Sequence, residues 1–300
     1  MWRLHGQSRA RSFSRLPGEP TETSGEICGS ALGSGSVQFG AMDEQPSQNQ
    51  ETVAVEFSIG IGDGTLNATA VVPKGPTTLT QILPVLQSLD DSLVAGVGTQ
   101  LHGAGLTISC RAGCGACCRQ MVPLSIFEAE ALADWIRSLP AVRQQELAER
   151  FDTALRKLAG AGFIDRMVNE EWLAENESAR KLALDYLYQR VACPFLEDES
   201  CSIHPIRPLI CREYLVTSAP EHCFDPAELK AAPVPLPFHL SRVLNRIGAQ
   251  LENDSRGWIP LLFLFAWMKA GARPGDGVQG EGPQVLYEVI SRLGGGQKAS

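Results

Sequence analysis

Three hundred residues, an apolar fraction of 44% and a formal net charge of -8 describe an ordinary globular chain of one or two domains. That acidic balance is a poor footprint for nucleic acid, which asks for a basic face, and it argues against docking on an anionic membrane surface. No apolar run reaches the roughly 18 to 20 residues that span a bilayer; the longest, WIPLLFLFAWMKAGA, is short and carries Pro260 near its start, so it is read as a buried helix.

Residues 1–41 are rich in Ser, Gly and Pro without a sustained hydrophobic period, and they are expected to form a disordered leader. Arg3, Arg9, Arg11 and Arg15 give its start the look of an organelle transit peptide, but no apolar stretch follows, so no secretory signal is read. Met42, ahead of DEQPSQ, would make a natural start, and the leader is expected to be an over-extended reading frame. The stretch TVAVEFSIGIGDGTLNATAVVP predicts a β-hairpin. Val53, Val55, Phe57, Ile59 and Ile61 alternate, GDG offers the turn, and Leu66, Ala68, Ala70 and Val72 return. A helix is expected from about Thr78, where Leu79, Ile82, Leu83, Leu86, Leu89 and Leu93 keep a three-to-four spacing. Pro84 should kink or delay its first turns.

Ser125 with Glu128 three residues on is a capping-box signature for the helix IFEAEALADWIRSL. AVRQQELAERFDTALRKLAG is a second helix, and a third is expected over 166–190, with Leu173, Leu182, Leu184, Leu187 and Tyr188 available for burial. Two further helices are expected in AELKAAPVPLPFHLSRVLNRIGAQLE and WIPLLFLFAWMKAG, then a linker, GARPGDGVQGEGP, and a short helix, QVLYEVISRL. The fold class expected is mainly α with a small N-terminal β-hairpin: a helical scaffold carrying two Cys-rich metal-binding loops. Its stretches are the leader 1–41, a hairpin plus helix over 42–107, a cysteine-cluster metal-binding domain over 108–224, and C-terminal helices and tail over 225–300.

Nine cysteines without a secretory signal point to a cytoplasmic setting and away from a disulfide framework. Cys28 lies in the leader. The other eight form two groups of four: Cys110, Cys114, Cys117 and Cys118, then Cys193, Cys201, Cys211 and Cys223. Thiolates are soft ligands that suit Zn²⁺ and iron–sulfur clusters. Cys114-x2-Cys117 can reach one metal through a tight turn, and Cys110-x3-Cys114 is nearly as good. Gly113 and Gly115 permit positive φ and let backbone N–H groups point at sulfur. The gap from Cys118 to Cys193 is too long for a zinc ribbon and matches a three-helix insert.

Adjacent side chains diverge, so Cys117 and Cys118 would be strained on one ion. Either each serves a different metal, or one is a free or redox-active thiol. Eight thiolates are the number for two Cys₄ sites or for one polynuclear site. Arg111, Arg119, Arg207 and Arg212 each lie within four residues of a cysteine and could offset thiolate charge. His204 and His222 are alternative ligands, and Tyr214 is a candidate hydroxyl donor. There is no HExxH, P-loop or nucleophile elbow, so no catalytic residue is assigned.

CGACC preceded by Cys110, together with CPFLEDESCSIHPIRPLICREY, resembles the CxxCxxCC (YkgJ-type) cysteine-cluster family over roughly residues 108–224. The second half is the more specific: Cys193-Pro194-Phe195-Leu196, then Cys201-x-Ile203, then Arg207-Pro208-x-x-Cys211-Arg212. The chain departs from the family pattern in separating Cys110 from Cys114 by three residues rather than two. The resemblance implies zinc, iron or an iron–sulfur cluster held by the cysteines, without a defined activity. Flagellin lysine N-methylases carry a similar cysteine set, but this chain lacks a glycine-rich strand–turn–helix pattern for S-adenosylmethionine. Three functions fit: a non-enzymatic metal-binding protein in metal handling or docking to a protein partner, an iron–sulfur oxidoreductase or accessory protein, and an enzyme with a catalytic metal.

Overall fold

The alternating stretch folds as a hairpin because one of its faces is apolar throughout. In the computed structural model, β2 (Thr52–Ile61) pairs antiparallel with β3 (Gly64–Pro73), with Val55 opposite Ala70 and Phe57 opposite Ala68. Val55, Phe57, Ile59, Ala68, Ala70 and Val72 are buried, and every second residue points to that face. The described residues are 37–38, 51–61, 64–168, 176–252, 256–271 and 277–293. The leader other than β1 (Val37–Gln38), which pairs in parallel with β3, therefore lies outside them, as do Gly62 and Asp63 of the expected turn and Leu173.

The hairpin rests on a first core that includes Leu83, Leu86 and Leu89 of α1 (Leu83–Gly103). Val243, Leu244 and Ile247 of α7 (Leu240–Glu252) and Val285, Leu286 and Val289 of α9 (Gly282–Ile290) complete it. Pro84 delays the first helix as expected: a single 3-10 turn over Thr80–Ile82 precedes it, and the proline then sits in the first turn, where its missing N–H has no intrahelical partner to lose.

A second core lies among α2 (Ile126–Ser138), α3 (Ala141–Gly160), α4 (Phe163–Val168), α5 (Asn176–Tyr188) and α8 (Leu264–Lys269). The Ser125–Glu128 capping box forms. Phe195, next to the second cysteine loop, is driven into this core, with its ring 5.5 Å from Phe151 and 6.3 Å from Trp135. One aromatic anchor thus fixes the loop to the helices.

Three expectations need correction. The helix expected over 166–190 is seen in α4 and α5, with residues 169–175 between them outside the described residues. The helix expected from AELK begins only at Leu240, because Pro233, Pro235 and Pro237 withhold donors and fix φ. WIPLLFLFAWMKAG splits into β8 (Trp258–Pro260), a 3-10 turn and α8. β8 pairs with β5 (Pro123–Ser125), directly after the first cysteine loop. Part of the supposed C-terminal linker is β9 (Gln279–Glu281), which pairs with β4 (Pro76–Thr78). The fold is mainly α with an N-terminal hairpin, as expected. Among the described residues no helix is long and apolar enough to cross a membrane.

Asp90 on α1 is fully buried, and neither carboxylate oxygen has a hydrogen-bond partner. Burial, with Glu213 and Asp91 nearby, raises its carboxyl from 3.8 to about 8. The folded chain therefore holds this proton more tightly than the unfolded chain. The stability linked to it is complete below the ordinary carboxylate range and is lost as pH rises towards about 8. Asp90→Asn should be more stable than the parent at neutral pH, with the advantage fading on acidification to about pH 4; urea midpoints across that range measure it.

Candidate metal centre

The first cysteine loop has little regular structure of its own. Ser109 donates its N–H to the Val216 carbonyl at 2.9 Å and its hydroxyl to the Thr217 carbonyl at 3.2 Å. Gly113 has φ +79°, which a glycine adopts without strain. Its N–H donates to Ser200 Oγ at 3.2 Å rather than to sulfur. Gly115 is required for space instead: a Cβ there would stand 2.4 Å from Glu199 Oε2 and 2.9 Å from Leu196 Cδ1. Cys117–Arg119 form one 3-10 turn.

The second loop supplies the other half. β6 (Leu196–Glu197) and β7 (Ser200–Cys201) make a miniature hairpin whose two turn residues, Asp198 and Glu199, both have positive φ, 47° and 57°. This is the turn that usually takes Asn-Gly, and holding two acidic residues there needs outside support. Arg119 supplies it through a bidentate pair, 2.6 and 2.9 Å to the Glu199 carboxylate, and a 2.7 Å bond to the Gly115 carbonyl. The Cys193 N–H donates to the Cys118 carbonyl at 2.7 Å. Two loops far apart in sequence are thereby joined backbone to backbone.

Cys211 lies on the short helix α6 (Leu209–Glu213). Glu128 carries that helix from beneath: it accepts the Leu209 N–H at 2.7 Å, the Ser125 hydroxyl at 2.6 Å and the Ser125 N–H at 3.2 Å. At the other end of α6, Glu213 accepts the Ser241 N–H at 2.9 Å and hydrogen-bonds the Ser241 hydroxyl, at the start of α7. Both carboxylates are buried.

All eight expected ligands, Cys110, Cys114, Cys117, Cys118, Cys193, Cys201, Cys211 and Cys223, are free thiols. Each has others of the set in electrostatic reach, and Cys117 is the common neighbour of Cys110, Cys118, Cys193, Cys201, Cys211 and Cys223. Burial pushes Cys193 up to about 12 and Cys223 up to about 11. Burial also raises Cys110, Cys201 and Cys211. Hydrogen bonding between the adjacent thiols holds Cys117 below the usual thiol range and Cys118 above it. Burial thus favours the neutral form of Cys110, Cys193, Cys201, Cys211 and Cys223. Among the described residues, no three His, Cys, Asp or Glu side chains stand where they could hold a metal ion. Coordination must strip protons and draw sulfurs inward.

Of the four arginines, Arg207 faces the thiols: its charge acts on Cys110, Cys117 and Cys201, and its Nε is buried without a hydrogen-bond partner. Arg212 is buried scaffold, pairing with Asp91 at 2.5 Å and the Arg207 carbonyl at 3.1 Å. Arg111 is exposed. His204 is exposed on a 3-10 turn, whereas His222 keeps a buried, unpartnered Nδ1 beside Cys223. The Tyr214 hydroxyl reaches Cys223. Glu199 and Ser200 escaped the reading of the sequence, as did the hold of Glu128 on Leu209; the acidic DES between Cys193 and Cys201 was the one signal that could have pointed to the clamp. The donor set fits a thiophilic metal: eight soft sulfurs, with the Arg207 charge acting on three of them and its buried Nε left unpartnered.

Residues 109–229 match the family model CxxCxxCC, described as "Putative zinc- or iron-chelating domain". The match covers all eight cysteines and less than half of the chain. Neither the curated proteins nor the solved structures contain a significant match.

Glu128→Ala leaves the buried Leu209 N–H and the Ser125 donors unpaired, at a cost of about 1–3 kcal/mol. The variant should show a lower denaturation midpoint and faster alkylation of Cys211, read by mass spectrometry.

Proposed function

On the ground that residues 109–229 match a zinc- or iron-chelating family, we propose that this chain is a metal-binding protein. Residues 108–224 would hold zinc or an iron–sulfur cluster through the thiolates of Cys110, Cys114, Cys117, Cys118, Cys193, Cys201, Cys211 and Cys223. The observation that carries the reading is that two loops joined by hydrogen bonds present eight free thiols, six of which have Cys117 as a neighbour.

Bound metal would pin loops that otherwise rest on a few hydrogen bonds, and thiolate ligation would supply that binding energy to folding. Arg207, whose charge acts on Cys110, Cys117 and Cys201, would balance the negative charge that deprotonated sulfurs carry. The Tyr214 hydroxyl is placed to orient Cys223. The chain's role is metal handling or a module for a protein partner in the cytoplasm. Service as an iron–sulfur accessory protein is the variant of this role that a cluster would imply.

Protein purified anaerobically should retain stoichiometric metal by elemental analysis. Cys211→Ser, which removes the thiol carried on α6, should lower both metal content and yield of folded protein. Broad visible absorption would assign an iron–sulfur cluster, and a colourless zinc protein would assign structural zinc. Native, folded protein free of metal, whether prepared with or without oxygen, would sink the proposal.

A further inference from the structure

The two loops do not merge into one pool of sulfur. Cys193 and Cys201 pack against the second helical core, the one anchored by Phe195. Cys193 accepts the Leu196 N–H at 2.9 Å, and Leu196 is the ladder partner of Cys201. The Cys118 carbonyl takes the Cys193 N–H, so Cys118 joins the same backbone unit. Cys211, on α6, has Cys193, Cys117 and Cys201 as neighbours.

The remaining cysteines sit elsewhere. Cys114 and Cys223 pack together with Ala116, Val216 and Tyr214 in a separate small apolar cluster. Ser109, hydrogen-bonded to Val216, holds Cys110 beside that cluster. Cys223 has Cys110, Cys117 and Cys114 as its thiol neighbours. Those of Cys118 are Cys117, Cys193 and Cys201. Cys117 and Cys118 are successive residues of a 3-10 turn, where side chains project about 120° apart, at three residues per turn.

We propose, resting on the metal-binding reading, that the eight thiols divide into two four-sulfur sites that part the adjacent pair: Cys110, Cys114, Cys117 and Cys223 in one, Cys118, Cys193, Cys201 and Cys211 in the other. Cys117 has thiols of both sets as neighbours, but beyond Cys117 itself those of Cys118 are Cys193 and Cys201, both of the second set, which leaves Cys117 to complete the first. Arg207, whose charge acts on Cys110 and Cys117 of the first set and Cys201 of the second, stands between the two.

The test uses the full chain loaded anaerobically with Co²⁺. The native chain should take two ions. Cys110→Ser, at an exposed position, should keep its far-ultraviolet circular dichroism and take one. In native protein stripped to one ion per chain by a chelator, alkylation mapped by mass spectrometry should find one set of four protected as a block. One ion in the native chain, or loss of both ions from folded Cys110→Ser, or protection scattered across both sets, would overturn the division while leaving metal binding intact. Failure of the native chain to take any Co²⁺ would overturn the metal-binding reading itself.

Discussion

A single buried carboxylate holds the site in place. Glu128 closes the N-terminus of α2 through Ser125 and the N-terminus of α6 through Leu209. Burial raises its carboxyl, and the hydrogen bonds from Ser125 and Leu209 pull the other way. The first of these helices follows directly from one cysteine loop and the second carries Cys211 from the other. Short irregular segments cannot order themselves by propensity. A carboxylate with three donors, charge-assisted when ionised, gives two such segments one fixed reference point.

From that point outward the design has one recurring feature. Polar groups are enclosed near the sulfurs and left incompletely matched. Arg207 and His222 each keep a buried nitrogen without a partner, while the thiols beside them are held neutral by burial. Either half alone is unfavourable, because an unmatched buried polar group costs about 1–3 kcal/mol. Thiolates formed on coordination would offset both at once.

Much of this was legible in the chain. The hairpin and the Ser125–Glu128 cap depend on neighbours in sequence, so alternation and spacing revealed them. The cysteine loops were legible because thiols at ligand spacing have few other uses. The Arg119–Glu199 clamp was not, since it rests on a tight turn with Asp198 and Glu199 in a backbone region where glycine would be expected. WIPLLFLFAWMKAG was misread for a different reason. Its apolar run is the length of a helix, but its first residues are claimed by pairing with β5, a partner more than a hundred residues away. Pro233, Pro235 and Pro237 carried their warning openly, and the late start of α7 follows from them.

The bond from the Cys193 N–H to the Cys118 carbonyl has a topological meaning as well. It ties off a ring of chain that leaves the sulfurs at Cys118 and returns to them at Cys193. The entropy of closing such a ring grows only with the logarithm of its length. Beyond α2, which Glu128 fixes, and α3, on which Phe195 is anchored, the connecting chain can therefore lengthen or shorten without displacing the ends. The size of the scaffold and the chemistry of the sulfurs are independent variables in this fold.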